Sequence, residues 1–183
     1  MEGNLMLPHW KHNDLTVNGA RMHYYRAGPG REKRPLVLVH GFSDNGLCWA
    51  LTARDLESEY DVIMPDMRAH GLSERARPGE KVDMAADLAG LIRALGLRRP
   101  IVGGHSMGAI AAYQIGVRFP ELAGALILEN PPWRLSRPVH ATAPGQSPLR
   151  TQSYNGPKTC PTTHWKSCWR DTVRITPTGP KSW

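Results

Sequence analysis

An apolar run, Ile101-Val102-Gly103, is followed without a break by Gly104-His105-Ser106-Met107-Gly108 and then by a stretch of helical periodicity from Ala109 to Phe119. A strand that bends directly into a helix forces the residue at the bend toward positive φ. It also brings strand and helix so close that no side chain fits two residues to either side, a demand that Gly104 and Gly108 meet. Ser106 is thereby held up at the bend, which makes its hydroxyl the first candidate nucleophile. The competing reading is a glycine-rich helix entry with an incidental serine. The flanking strand and helix weigh against it.

The rest of the chain alternates in the same way. Leu15 to Arg26 reads as two strands around Asn18-Gly19, a dipeptide suited to a tight hairpin. Leu36-Val37-Leu38-Val39 is a buried strand ending at His40-Gly41, and Tyr60 to Met64 is another, ending before Pro65. Between them, residues 45–60 have near-helical apolar spacing. Met84, Leu88, Leu91, Ile92 and Leu95 then line one helical face from Val82 to Leu95, with Asp83 and Asp87 near its start, where they favour the positive end of the helix dipole. Ala123 to Leu128 is the last apolar run. Strands interleaved with helices, and apolar without alternation, predict a parallel sheet covered on both faces. Its chemistry belongs at the carboxyl ends of the strands, on the loops after Val39, Met64 and Gly103.

The chain of 183 residues suits one domain, and its charge is unevenly placed. Residues 1–132 hold 15 Lys+Arg and 15 Asp+Glu, whereas residues 133–183 hold eight Lys+Arg against the single acid Asp171, so the whole excess of +7 lies in the last segment. That segment contains seven prolines and little Leu, Ile or Val, which predicts a core over 1–133 and a low-regularity basic tail over 134–183. The tail's dispersed charges favour a solvated segment over a nucleic-acid or anionic-membrane arm. Cys48, Cys160 and Cys168 are odd in number and widely spaced, which indicates free thiols, with no metal motif and no cofactor implied. No apolar run approaches the ~18 residues that a bilayer requires, and the start of the chain lacks a signal-peptide pattern; the expectation is a cytoplasmic protein.

His40-Gly41-Phe42 after one buried strand, Asp66-Met67-Arg68-Ala69-His70-Gly71-Leu72-Ser73 after the next, the bend at Ser106 and Leu126-Ile127-Leu128-Glu129-Asn130-Pro131-Pro132-Trp133 at the end form an ordered set. Together they resemble the α/β-hydrolase fold family, in the group that includes esterases, carbon–carbon bond hydrolases and cofactor-free haloperoxidases. The likeness covers about residues 14–133. It implies a three-layer α/β fold around a mostly parallel sheet, Ser106 as nucleophile, and the backbone amides of Met107 and Phe42 as oxyanion-hole donors. The implied reaction is acyl-enzyme hydrolysis of a small ester or similar carbonyl substrate. A serine at the bend argues against the dehalogenase and epoxide-hydrolase branches, whose chemistry uses a carboxylate nucleophile.

The family's triad runs serine, acid, histidine, and the last two have no clear match here. The recognisable pattern stops near Leu135, as in a domain cut short or diverged at its carboxyl end. Glu129 is the acid candidate, since some relatives keep their acid after this strand, while Asn130 cannot carry the charge. His164 is the candidate base, with His140 the other downstream histidine. His40, His105 and His70 read as loop-shaping residues. The alternative is a catalytically impaired remnant that acts at most as a binding or interaction protein. A sheet edge left uncovered after Leu128 invites self-association.

Overall fold

Asn18 and Gly19 both have positive φ, 50° and 78°, so the two-residue turn between Lys11–Val17 (β1) and Ala20–Ala27 (β2) has a twist that suits antiparallel strands. Val17 pairs with Ala20 directly across it. β1 begins at Lys11 rather than at Leu15 because backbone pairing on an edge strand needs no apolar side chains, and Lys11 to Asp14 are exposed. The structure is a computed structural model and describes residues 6–132; the tail expected over 134–183 lies outside them.

Arg34–Val39 (β3), Tyr60–Pro65 (β4), Ile101–His105 (β5) and Ala125–Glu129 (β6) complete a six-stranded sheet of order β1-β2-β4-β3-β5-β6. β3 to β6 are parallel to one another, and β2 joins them antiparallel along β4. Ala50–Leu56 (α1), Met84–Ala94 (α2) and Met107–Arg118 (α3) cover the sheet, α1 on one face and α2 with α3 on the other. The period of two in a strand explains why β3 reads as an unbroken apolar run. Val37 and Val39 face the core beneath α2 and α3, whereas Leu36 and Leu38 face the core with Trp49, Ala50 and Ala53. Each such side chain contributes about 1.5–3 kcal/mol on leaving water, so a strand buried on both sides gains twice over from the three-layer arrangement.

The helical spacing over 45–60 resolves into two pieces, a single 3-10 turn Gly46–Trp49 and then α1. Its first residue explains the break: the backbone of Gly46 presses so close to β4 that a Cβ would stand 2.5 Å from the Met64 carbonyl oxygen. The helix expected over Val82 to Leu95 is α2. Asp83 caps it, accepting from the Ala86 amide at 3.0 Å, and receives both terminal nitrogens of Arg118 at 2.7 Å. That guanidinium, with the amide, holds the Asp83 carboxyl down at about 2 and ties the start of α2 to the last turn of α3. Asp87 does more than favour the helix dipole, for it is 2% exposed and grips Arg68.

Among the described residues, β6 pairs on one side only, with β5. No helix among them is long and apolar enough to cross a membrane.

Candidate functional site

Ser106 has φ 51° and ψ −111°, a conformation that L-residues adopt only under constraint and at a cost of about 1–3 kcal/mol. Two close approaches impose it. A Cβ on Gly104 would stand 2.3 Å from the Gly108 carbonyl oxygen, and one on Gly108 would stand 2.2 Å from the Val39 carbonyl oxygen and 2.7 Å from that of His40. The positive φ and the steric need for both glycines, expected from the sequence, are thus both present. The second contact also seats the first turn of α3 on the end of β3, beside the loop that carries Phe42. In that loop the amide of Asp44 closes a turn onto the Gly41 carbonyl at 3.2 Å, and Phe42 itself is 76% exposed.

His40 joins this loop to the next one. The Met67 amide donates to its Nε2 at 3.0 Å, which makes Nδ1 the protonated nitrogen, and Nδ1 donates to the Gly41 carbonyl at 2.7 Å. The ring is fully buried. Burial, helped by the neighbouring His70, holds its pKa below the usual 6.5 against the upward pull of the Gly41 carbonyl, Asp66 and Asp44. A group depressed in this way contributes stability that is complete above the unfolded-state value and is lost as pH falls below it. We therefore expect the urea midpoint to drop between about pH 7.5 and about pH 5, and a His40→Asn variant to be less stable but flatter over that window. An unchanged slope in the variant would reject the role given to His40.

Asp66 is the second brace, and its role is not evident from the sequence motif that contains it. It is fully buried, accepting the Gly46 amide on Oδ1 at 2.6 Å and the Leu72 amide on Oδ2 at 2.7 Å. Gly71, at φ 51°, has no room for a Cβ, which would meet Oδ2 at 2.1 Å. Ser73 Oγ donates to the Asp66 carbonyl at 2.6 Å and accepts the His23 amide at 2.8 Å. An acid at the end of an apolar strand with glycine five residues later is the signal that could have shown it. His70 lies at the rim, its ring 5.0 Å from that of His40 and 5.7 Å from that of Phe42.

Glu129 ends β6 in register with His105, and its carbonyl accepts the Ser106 amide at 2.9 Å. The acid candidate therefore stands one strand over from the serine, and no cation pairs with it among the described residues. His105 leads into the bend, with Nδ1 3.1 Å from where a Cβ on Gly41 would lie. The base candidates His164 and His140 lie outside the described residues, as do Cys160 and Cys168; Cys48 is a free thiol. No cluster of three or more metal-ligating side chains occurs among the described residues.

A mostly parallel sheet of this order, with helices on both faces and a strained bend between its fifth strand and the following helix, is the framework of the α/β hydrolases. Residues 34–157 match the alpha/beta hydrolase fold family, and the chain belongs to it. It is 35% identical over 121 residues to epoxide hydrolase 4 of Mus musculus, covering 64% of this chain and 33% of that protein. Among solved structures, an epoxide hydrolase of Vigna radiata superposes with a TM-score of 0.63 at 25% identity, over 67% of this chain and 41% of that one. An N-formylmaleamic acid deformylase of Pseudomonas putida S16 does so at 0.59 and 29% identity, over 78% and 52%. The chain spans about one third of the length of the curated relatives it matches.

Proposed function

We propose that this chain is a serine hydrolase acting on a small ester or similar carbonyl substrate. Ser106 Oγ attacks the carbonyl carbon, and the amides of Met107 and Phe42 bind the oxygen on which negative charge develops. The leaving group departs with a proton, and water then cleaves the acyl-enzyme. Where water is excluded, a preorganised donor of this kind contributes about 3 kcal/mol or more. The observation that carries the reading is the positive φ of Ser106 between glycines that admit no Cβ, with α3 seated on the end of β3.

The epoxide hydrolases among its relatives share the framework, but serine in place of a carboxylate changes what the site can turn over. A carboxylate opening an epoxide forms an ester, which water cleaves at its carbonyl. Serine would form an ether, which has no carbonyl to attack. Glu129 is the proposed acid, and His164 the proposed base, with His140 its alternative.

A second reading is a catalytically impaired binding protein. One observation favours it: among the described residues no histidine ring bonds the Ser106 hydroxyl. Oxyanion stabilisation and binding alone leave about 10³–10⁴-fold acceleration over water. A fluorophosphonate probe should label the folded chain at Ser106 and leave Ser106→Ala unlabelled. Folded protein that resists the probe would defeat the serine-hydrolase reading, whereas p-nitrophenyl acetate turnover abolished by Ser106→Ala would reject the binding-only one. The one-sided pairing of β6 among the described residues further supports association of two copies along that edge. Sedimentation equilibrium should show concentration-dependent dimers; a monomer across the micromolar range rules this out.

A further inference from the structure

At the end of the sheet opposite Ser106, a groove of about 610 Å³ opens between the start of β1, the end of β2, the loop before β3 and the chain that follows α2. It is lined by Lys11, Arg26, Arg31, Lys33 and Arg98 against one acid, Asp61, with Leu97 among the apolar residues of its wall. Asp61 is already committed: it takes Arg26 in a two-pronged pair at 2.7 and 2.5 Å. Lys33 donates to the Glu57 carbonyl at 2.6 Å, a bond that leaves its charge intact. Lys11, Arg31 and Arg98 pair with no carboxylate among the described residues.

Four uncompensated positive charges thus share one concavity, although residues 6–132 as a whole are nearly balanced at 15 Lys+Arg and 14 Asp+Glu. Like charges gathered on low-dielectric walls focus a positive potential that favours a multiply charged anion. Guanidinium forks on Arg31 and Arg98 match the oxygens of phosphate, and lysines at Lys11 and Lys33 supply point charges. The volume is far more than one phosphate fills and is of the size that holds an extended small ligand. The chain's own segment 133–183 is not a fitting occupant, since it carries eight Lys+Arg against one acid.

We propose that this groove binds a polyphosphate group, whether an inorganic chain or the triphosphate of a nucleotide. The length of β3 separates it from Ser106 by about 20 Å, so binding here is independent of acyl transfer.

Calorimetry of the full chain should show tripolyphosphate binding about tenfold or more tighter than orthophosphate, with affinity falling as salt rises. Arg31→Glu combined with Arg98→Glu should weaken it by about tenfold or more while far-UV circular dichroism stays unchanged. If that double variant does not fold, the exposed Lys11→Gln change carries the same test with a smaller loss. ATP run in parallel identifies the source, since a gain over tripolyphosphate assigns a nucleotide and equality an inorganic chain. The proposal is overturned by equal affinity for ortho- and tripolyphosphate, by binding that survives the groove substitutions, or by binding lost when Lys158, Lys166 and Arg170 are changed to Gln instead. A hexaglutamate peptide that binds as tightly as tripolyphosphate overturns it too.

Discussion

Arg68→Met lowers the unfolding free energy by about 3–5 kcal/mol, because it leaves a buried carboxylate without its cation. Arg68 is 6% exposed and Asp87 2%, and they meet through two parallel bonds, Nε to Oδ2 at 2.9 Å and Nη2 to Oδ1 at 2.7 Å. Glu80 also takes Arg68 on Nη1, and Asn18 donates to Asp87 at 3.1 Å. Once the guanidinium is gone, Asn18 alone faces the Asp87 charge. The double change Arg68→Met with Asp87→Leu should recover most of the loss, since desolvation of two buried ions offsets much of their attraction. Urea unfolding of the two single variants and the double variant measures this coupling. Equal stability of Arg68→Met and the native chain would show that the pair contributes nothing.

Gly108→Ala lowers stability by about 3 kcal/mol or more. Helix propensity alone predicts the opposite, a gain of about 1 kcal/mol for alanine over glycine in α3. Packing wins because the new methyl would stand 2.2 Å from the Val39 carbonyl oxygen, and both partners are backbone that neither rotates nor yields. Gly116→Ala is the control within the same helix: its Cβ would meet the Leu126 Cδ1 at 2.5 Å, the far end of a side chain that can turn away, so its cost is smaller. Thermal unfolding of both separates the two effects. A stabilised Gly108→Ala would mean that α3 does not rest on the end of β3, and the seating of the Ser106 bend against the His40 carbonyl would fall with it.

Local chemistry made much of the framework legible. Asn18-Gly19 requires positive φ, and both residues have it. The bend at Ser106 was readable because strand, glycines and helix all had to agree, and the unbroken apolar runs of β3 and β4 report burial on both faces. The bracing of the site was much less so. His40 and Asp66 are ordinary loop residues by pattern, and their roles rest on amides 27 and 20 residues away, Met67 and Gly46. Asp87 reads as a helix-start acid until Arg68, from the loop after β4, is folded onto it. The break at Gly46 came from contact with β4, which no spacing within residues 45–60 could reveal.

Read alone, the residue order determined which segments pair as strands, which wind as helices and which hydroxyl stands at a strained bend, because those outcomes depend on neighbours within a few positions. Tertiary structure decided what holds that bend in place and how the charges are grouped. Carbonyls, amides and guanidinium groups from distant segments meet only once the sheet has formed, and the cluster of Lys11, Arg31, Lys33 and Arg98 at its far end exists only then.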